Sequence, residues 1–269
     1  MDFLAGPKPR LFAHRGGAAE APENTIEAFA HGLKVGADRL ELDVHATSDG
    51  EIVVLHDETL DRTTDASGPV RMRTLAEVRS FDAGARFVAD DGSQPFRGRG
   101  IRIPTLAEVL EAFPGVPLNM EIKQPDPAIE AQVLAVLDRF SARAQVLMAA
   151  EKGDIMQRIR EADPGLYFGA STDDIVDFVV HLHEGRLGEY NRCGVALQVP
   201  STFMGSPLVT PEFVAGAHDA GLEVHVWTID EEAEMEHLLG LGVDGIMTDR
   251  PTRAAAVFAR LGHRTSPQD

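Results

Sequence analysis

The sequence predicts an α/β fold, a (β/α)8 TIM barrel with a small inserted subdomain after a hairpin on its second strand. Three observations lead to this prediction. The chain has 269 residues, and such barrels typically have about 250. Eight short apolar segments alternate with helical patterns, which is the order of a parallel barrel. One additional strand follows the second after only a tight turn, and such a turn joins antiparallel strands.

Turn and capping residues separate the predicted strands from the helices. The first strand, residues 11–13, ends at His-Arg-Gly-Gly, and Asn24 is the expected N-cap of the next helix. Thr210 is the expected cap of a later helix that has proline at its first position, and Asp230 that of the following one. The strands after the second are predicted at residues 117–123, 145–149, 166–169, 195–199, 223–227 and 245–248.

Residues 39–57 alternate between apolar and charged side chains. Because successive side chains of a strand point to opposite faces, this alternation predicts one apolar and one polar face. The polar face carries Glu41, Asp43 and His45. Two acids on one core-facing surface are costly to bury unless something binds them.

Residues 49–50, Asp-Gly, predict the turn of the hairpin, because a type I′ turn needs positive φ at both central residues. This register pairs Ser48 with Glu51 and, further back, Asp43 with His56. Opposed side chains have Cβ atoms about 4.5–5.5 Å apart. The register alone therefore places a carboxylate beside His56.

Composition and charge exclude several classes of partner. The formal net charge of −18 at pH 7 argues against nucleic acid, which needs a basic surface, and against stable membrane association. No stretch reaches the ~18 apolar residues of a membrane span, and no apolar leader segment begins the sequence. We therefore expect a cytoplasmic enzyme acting on a small molecule, and the sequence leaves an oligomer open.

Residues 57–103 resist division into strands and helices and are rich in Arg, Asp and Gly. Thr74 and Thr105 begin identical Thr-x-x-Glu helix starts, which we interpret as one capping sequence used twice. A stretch this long without regular structure is functional or an inserted subdomain. We expect a single TIM-barrel domain over 1–269, with a 57–103 insertion subdomain within it.

Active sites of such barrels lie at the carboxyl ends of the strands. Glu41 and Asp43 on strand two and Glu121 on strand three are the acidic residues expected there. Oxygen-only ligation suits hard cations, so this set predicts one divalent cation, Mg²⁺ or Ca²⁺, with Mn²⁺ as a further candidate. Surface acids or salt-bridge partners are the alternative interpretation.

His14 and His56 are expected on opposite sides of the predicted metal position. Histidine titrates near neutrality, so a pair can supply one general base and one general acid. We expect His45 to lie beyond the barrel rim and His225 to be a core residue inside strand seven. The other histidines fall in predicted helices or tails.

Arg15 and Lys123 are the cations expected beside the three acids. Arginine offers a fork of donors to phosphate and lysine a point charge, and balancing the carboxylates is the alternative or additional role. Gln198 and Trp227, at the ends of two further strands, are candidate substrate-binding residues by the same barrel rule.

Seven motifs follow one another along nearly the whole chain. They are His14-Arg15-Gly16, Pro22-Glu23-Asn24-Thr25, Glu41-x-Asp43, Val54-Leu55-His56-Asp57, Glu121-Ile122-Lys123-x-Pro125, Trp227-Thr228 and Thr248-Asp249-x-Pro251. In this order they resemble the glycerophosphodiester phosphodiesterases. That family is a metal-dependent TIM barrel that cleaves glycerophosphodiesters to glycerol 3-phosphate and an alcohol, and its inserted subdomain follows the hairpin histidine.

The resemblance implies a role for each candidate residue. Glu41, Asp43 and Glu121 resemble the metal ligands, His14 and His56 the acid–base pair, and Arg15 and Lys123 the phosphate-binding cations. Trp227 resembles an apolar wall of the pocket. The chain departs from the family at Asp230, where asparagine is common.

Two alternatives to glycerophosphodiester hydrolysis stay open. One is a phospholipase D-like enzyme that acts on lysophospholipid or a related lipid phosphodiester, because such enzymes share the plan of two histidines and one metal. The other is a non-catalytic phosphoester-binding barrel. The sequence does not determine the alcohol, which histidine is the acid, or whether a cyclic phosphate is formed.

Overall fold

A computed structural model describes residues 2–264 of the chain. Its strands are β1 (Arg10–Ala13), β2 (Arg39–Ala46), β3 (Ile52–Val54), β4 (Leu118–Ile122), β5 (Val146–Ala149), β6 (Tyr167–Phe168), β7 (Ala196–Pro200), β8 (Thr202–Phe203), β9 (Ser206–Pro207), β10 (Glu223–Trp227) and β11 (Gly245–Thr248). Its α-helices are α1 (Ile26–Val35), α2 (Leu75–Val78), α3 (Leu106–Ala112), α4 (Glu130–Arg139), α5 (Gly153–Ala162), α6 (Thr172–His183), α7 (Pro211–Asp219), α8 (Glu232–Leu241) and α9 (Pro251–Arg260).

Eight parallel strands form the barrel in the order β6, β5, β4, β2, β1, β11, β10 and β7. The two ends of this sheet meet where Gly169 pairs with Ala196. The Val195 amide donates a 2.8 Å hydrogen bond to the carbonyl of Phe168 at the same seam. The predicted eight-stranded α/β barrel is therefore confirmed.

An apolar plug fills the amino-terminal part of the barrel. Phe12 of β1, Leu147 of β5, Ala196 of β7 and Met247 of β11 form it together with Phe3 from the segment before β1. All five are at most 2 % exposed. Because side chains of a small barrel pack in layers, this plug is a floor, and the inward-facing residues nearer the carboxyl ends lie above it.

The hairpin between β2 and β3 differs from the predicted one by one residue. Val44 pairs with Val54 and Ala46 with Ile52, and the Thr47 amide donates to the Glu51 carbonyl at 2.9 Å, so the loop contains the three residues 48–50. In the same register Asp43 faces Leu55, whose amide donates to the Asp43 carbonyl at 2.9 Å. The predicted pairing of Asp43 with His56 is wrong. A three-residue loop ending in a left-handed residue is a common hairpin connection, and Gly50 supplies that conformation at a φ of 85°.

Two predicted helix caps are also wrong. The N-cap of α1 is Thr25, whose side chain accepts a hydrogen bond from the Ala28 amide, and Asn24 precedes it at a φ of 57°. The N-cap of α8 is Glu231, while the carboxylate of Asp230 accepts hydrogen bonds from β11 and the residue after it. Both polar side chains therefore serve tertiary contacts rather than the nearest helix.

Residues 57–103 contain α2, a short 3₁₀ turn at Val70–Met72 and a small apolar cluster. The cluster is built on two side chains from β3 and the residue after it, and its buried members are Val53, Leu55, Leu60, Val70, Val78, Ala83, Ile101 and Ile103. This packing gives the segment a fixed structure beside the β2–β3 hairpin.

None of the helices in the described range 2–264 combines the length and hydrophobicity needed to cross a membrane.

Gly50→Ala should destabilise the protein by about 1 kcal/mol, because a Cβ there meets no atom within 4 Å but forces an L-residue to a φ of 85°. Gly240→Ala is the matched control. Gly240 lies in α8, also with open space around it, so alanine should stabilise the protein by up to about 1 kcal/mol. Urea unfolding measures both, and equal effects of the two substitutions would contradict the three-residue loop.

Candidate active site

Three carboxylates converge at the mouth of the barrel. Glu41 and Asp43 point inward from β2, and Glu121 of β4 lies in register beside Asp43. Oxygens of the three groups all lie within 4.8 Å of one another, and Glu41 and Asp43 are almost completely buried. Such proximity is unfavourable for three ionised acids unless positive charge is supplied.

Two cations contact this cluster. The Lys123 ammonium lies 2.8 Å from Glu121 and 3.5 Å from Asp43, and the Arg15 guanidinium lies 3.4 Å from Asp43. The Asn24 amide donates to Asp43 at 3.0 Å. Two positive charges against three carboxylates leave the cluster with net negative charge, which an additional cation would neutralise.

The charges in the cluster shift the pKa values of its two buried acids in opposite directions. Burial raises the pKa of Glu41, and the neighbouring Asp43 raises it further. Burial acts the same way on Asp43, but Lys123 and then Arg15 outweigh it and lower the pKa of Asp43. Of these two buried acids, Glu41 is therefore the one whose charge is less compensated.

The turn after β1 directs Arg15 into the site. Arg15 has a φ of 51°, a conformation rarely adopted by non-glycine residues, and its amide donates to Glu41 at 2.9 Å. Gly16 follows at a φ of 87°, and a Cβ there would lie 2.7 Å from Ala28 of α1. Only glycine therefore lets the turn approach the helix this closely.

His14 is held by a carboxylate on its Nδ1 atom. Nδ1 lies 2.7 Å from Asp249, and Nε2 lies 3.8 Å from Glu41. Asp249 is fixed in turn, since its amide donates to Asp230 at 2.9 Å. Burial alone would lower the pKa of His14, but Glu41 and then Asp249 outweigh it, so this pKa is raised.

His56 is held in the same way from another part of the chain. Its Nδ1 lies 2.7 Å from Asp57, and its backbone carbonyl lies 3.1 Å from Nε2 of His45. His45 is buried, and it pairs with Val53 of the hairpin, one residue past Val44, the last β2 residue that pairs with β4. In both His14 and His56 the carboxylate occupies Nδ1, which leaves Nε2 as the nitrogen available for proton transfer.

Gln198 and Trp227 lie on the opposite side of the barrel from β2. Gln198 donates to Asn119 at 2.9 Å and lies 3.4 Å from Nδ1 of His225. His225 is fully buried, as predicted for a core residue. Trp227 ends β10 and is 42 % exposed, so its ring is accessible at the carboxyl end of the barrel.

Several contributing residues escaped the sequence analysis as functional candidates. Asn24 was interpreted as a helix cap, although its side chain bonds Asp43. Glu23 and Asp57 lie inside the recognised motifs, which is a signal for them. Arg62, which contacts both Glu23 and Asp57, lies in the irregular segment, where no pattern distinguishes it.

The chain resembles characterised and solved proteins over most of its length. It is 34% identical over 249 residues to a glycerophosphodiester phosphodiesterase of Caldanaerobacter subterraneus, covering 91% of this chain and 95% of the relative. The structure of an Agrobacterium tumefaciens glycerophosphodiester phosphodiesterase superposes with a TM-score of 0.75 at 29% identity, over 92% and 99% of the two chains. An Oleispira antarctica phosphodiesterase in complex with the product sn-glycerol-3-phosphate superposes with a TM-score of 0.73 at 25% identity, over 93% and 97%.

Fold, site and relatives together define a phosphoric diester hydrolase. The sequence pattern of the glycerophosphoryl diester phosphodiesterase family matches residues 14–253. The chain therefore belongs to the glycerophosphoryl diester phosphodiesterase family.

Glu41→Gln should stabilise the chelated protein, because it removes a buried charge beside Asp43. Folded Glu41 has a raised pKa, so it destabilises the fold increasingly as pH rises above the ordinary glutamate value of about 4.3. The midpoint of thermal unfolding in EDTA should therefore rise more at pH 8 than at pH 5, by about 2–4 °C for each kcal/mol gained.

Glu58→Gln is the control, since Glu58 is exposed and its substitution should leave the midpoint unchanged. A lower midpoint for Glu41→Gln at pH 8 would show that the Glu41 charge is satisfied within the protein alone.

Proposed function

We propose that this enzyme hydrolyses glycerophosphodiesters, such as glycerophosphocholine or glycerophosphoethanolamine, to sn-glycerol 3-phosphate and an alcohol. The observation that carries the proposal is the pair of carboxylate-held histidines, His14 and His56, around a negative cluster that two cations also contact. The product complex of the Oleispira relative supports the substrate class.

The three carboxylates fit one divalent cation. Their oxygens converge within 4.8 Å, they are hard ligands, and the cluster retains negative charge after Arg15 and Lys123 are counted. We propose that Glu41, Asp43 and Glu121 hold Mg²⁺ or Ca²⁺, with Mn²⁺ as a further candidate. When bound, such an ion offsets the charge that develops on phosphate oxygens.

The protein groups perform the remaining work. Arg15 and Lys123 bind phosphate oxygens and orient the phosphorus atom. The glycerol 2-hydroxyl or a water attacks phosphorus and loses its proton to Nε2 of one histidine. The bond from phosphorus to the alcohol oxygen breaks, and Nε2 of the other histidine protonates that oxygen. If the 2-hydroxyl attacks, water then opens the cyclic phosphate by the reverse proton transfers.

One observation favours a second candidate, a lysophospholipid or related lipid phosphodiester. Phe203 and Met204 are 62 % and 90 % exposed in the hairpin β8–β9, which follows the carboxyl end of β7. Pro200 of β7 pairs with Trp227, so this apolar tip begins beside the exposed tryptophan. An acyl chain bound there would extend from a glycerol in the barrel mouth.

Turnover tests both candidates and the metal together. The wild-type enzyme should release choline and sn-glycerol 3-phosphate from glycerophosphocholine, lose activity after exhaustive chelation, and regain it with Mg²⁺, Ca²⁺ or Mn²⁺. Full activity of the metal-free enzyme would contradict the metal assignment. Turnover of lysophosphatidylcholine that is faster than that of glycerophosphocholine, and that is lost in the double variant Phe203→Ser/Met204→Ser, would favour the lipid candidate. Absence of turnover on every diester would leave only a phosphoester-binding barrel.

His14 and His56 should be separately essential, each worth about 10²–10⁴-fold in rate, and only one should be rescued by a better leaving group. A general acid matters in proportion to how poor the leaving alkoxide is. We assign His56 as the acid because its hairpin adjoins the 57–103 segment. His56→Ala should therefore recover most of its rate on a glycerol nitrophenyl phosphodiester, whereas His14→Ala stays slow.

Glycerophosphocholine is the comparison substrate in that experiment, since its alkoxide needs a proton. Equal losses on both substrates for both variants would mean that the histidines position phosphate rather than move protons.

We propose that the 57–103 segment is an insertion within a single barrel domain and that it determines the choice of leaving group. Arg250, beside Asp249, binds Asp90 of this segment at 2.7 and 2.9 Å, so the segment is anchored at the mouth. Asp90→Asn should change the ratio of kcat/KM for glycerophosphocholine and glycerophosphoethanolamine several-fold.

Asp91→Asn is the matched control, because Asp91 accepts a hydrogen bond only from its own turn at Ser93 among the contacts within residues 2–264. The proposal fails if Asp90→Asn keeps the wild-type ratio.

The expected cytoplasmic location stays a prediction, which cell fractionation tests.

A further inference from the structure

Arg62 makes two carboxylate contacts with one guanidinium group. Its Nε and Nη2 lie 2.7 and 2.9 Å from the two oxygens of Asp57. Its Nη1 and Nη2 lie 2.5 and 2.8 Å from the two oxygens of Glu23. Two parallel forks of this kind use the fixed planar donors of arginine, and the ammonium of lysine cannot reproduce them.

Each of these carboxylates holds a different group of the active site. Asp57 contacts Nδ1 of His56 through the same Oδ1 that Arg62 contacts. Glu23 accepts from Nη1 of Arg15 at 3.1 Å, through the Oε1 that Arg62 also contacts. Arg62 therefore links Asp57, which holds the proton-transfer residue His56, to Glu23, which holds the phosphate-binding residue Arg15.

The backbone presents Arg62 from a fixed turn. Leu60 is fully buried in the small apolar cluster, and its carbonyl accepts hydrogen bonds from the amide and the hydroxyl of Thr64, at 3.1 and 2.8 Å. Thr64 is itself fully buried. The Arg62 side chain is 46% exposed, but the backbone from which it extends is held in place by the packing of Leu60 and Thr64. In this respect Arg62 differs from a residue of an ordinary surface ion pair.

We propose that Arg62 is a positioning residue that aligns His56 with Arg15, so that proton transfer and phosphate binding act on the same substrate pose. The inference rests on the proposed function. Without Arg62, two neighbouring carboxylates repel each other, and both His56 and Arg15 lose a fixed partner. Displacement of a catalytic group by about 1 Å can cost about 10²-fold in rate.

Arg62→Gln should lower kcat for glycerophosphocholine by about 10–100-fold, with a smaller rise in KM from the loosened Arg15. Arg62→Lys keeps the charge but not the forks, so it should recover less than a third of the lost activity. Arg71→Gln is the control. Arg71 lies in the same segment and makes one exposed 3.5 Å contact with Glu58, so its loss should leave kcat and KM unchanged.

A double-mutant cycle separates positioning from general damage. If Arg62 acts on kcat through His56, Arg62→Gln should cost at most about threefold in kcat in the His56→Ala background, since groups acting as a unit are non-additive. A full additional loss in that background would overturn the inference, as would wild-type kinetics of Arg62→Gln or full rescue by lysine.

Imidazole nitrogen NMR provides a readout that needs no substrate. The Asp57 contact predicts that neutral His56 carries its proton on Nδ1 in the wild type and becomes a mixture of tautomers in Arg62→Gln, with Arg71→Gln unchanged. An unaltered tautomer in Arg62→Gln overturns the positioning role. This readout is independent of turnover. An inactive wild type would reject the proposed function, and the tautomer of His56 would still decide the role of Arg62.

Discussion

Two carboxylates buried side by side, Glu41 and Asp43, are the constraint around which the mouth of the barrel is built. Alternation along β2 places both inside the barrel, and register with β4 adds Glu121. Burial and mutual repulsion make this arrangement unfavourable on its own. Arg15 and Lys123 reduce the cost but do not remove it, and this remaining negative charge is what a divalent cation would satisfy.

The rest of the structure fixes the groups around that cluster. The apolar plug below it gives β1 and its neighbours a rigid base, so the turn that carries His14 and Arg15 starts from a defined point. Each histidine then has a carboxylate on Nδ1, supplied by chain segments that are remote in sequence from one another: Asp249 follows β11, and Asp57 follows β3. Cations, acids and histidines thus form one connected network rather than separate pairs.

The barrel could be predicted from the sequence because its signals are local and repeated eight times. Strand alternation and capping residues lie within a few positions of one another, and even a one-residue error in the hairpin left the inward face of β2 correct. The wrong helix caps are side chains that form hydrogen bonds with residues distant in sequence rather than with the nearest helix. Asn24 and Asp230 both look like helix caps, yet each bonds across the fold. Arg62 gave no signal at all, because its partner Glu23 is brought to it only by the tertiary structure.

The most direct test of this account is a crystal structure of the enzyme grown with Mn²⁺ and sn-glycerol 3-phosphate, with anomalous scattering used to locate the metal. The account predicts one Mn²⁺ peak bound by Glu41, Asp43 and Glu121, with Arg15 and Lys123 on the phosphate and Nε2 of both His14 and His56 facing it. An anomalous peak elsewhere, or phosphate bound at these cations with the three carboxylates holding no ion, would contradict it.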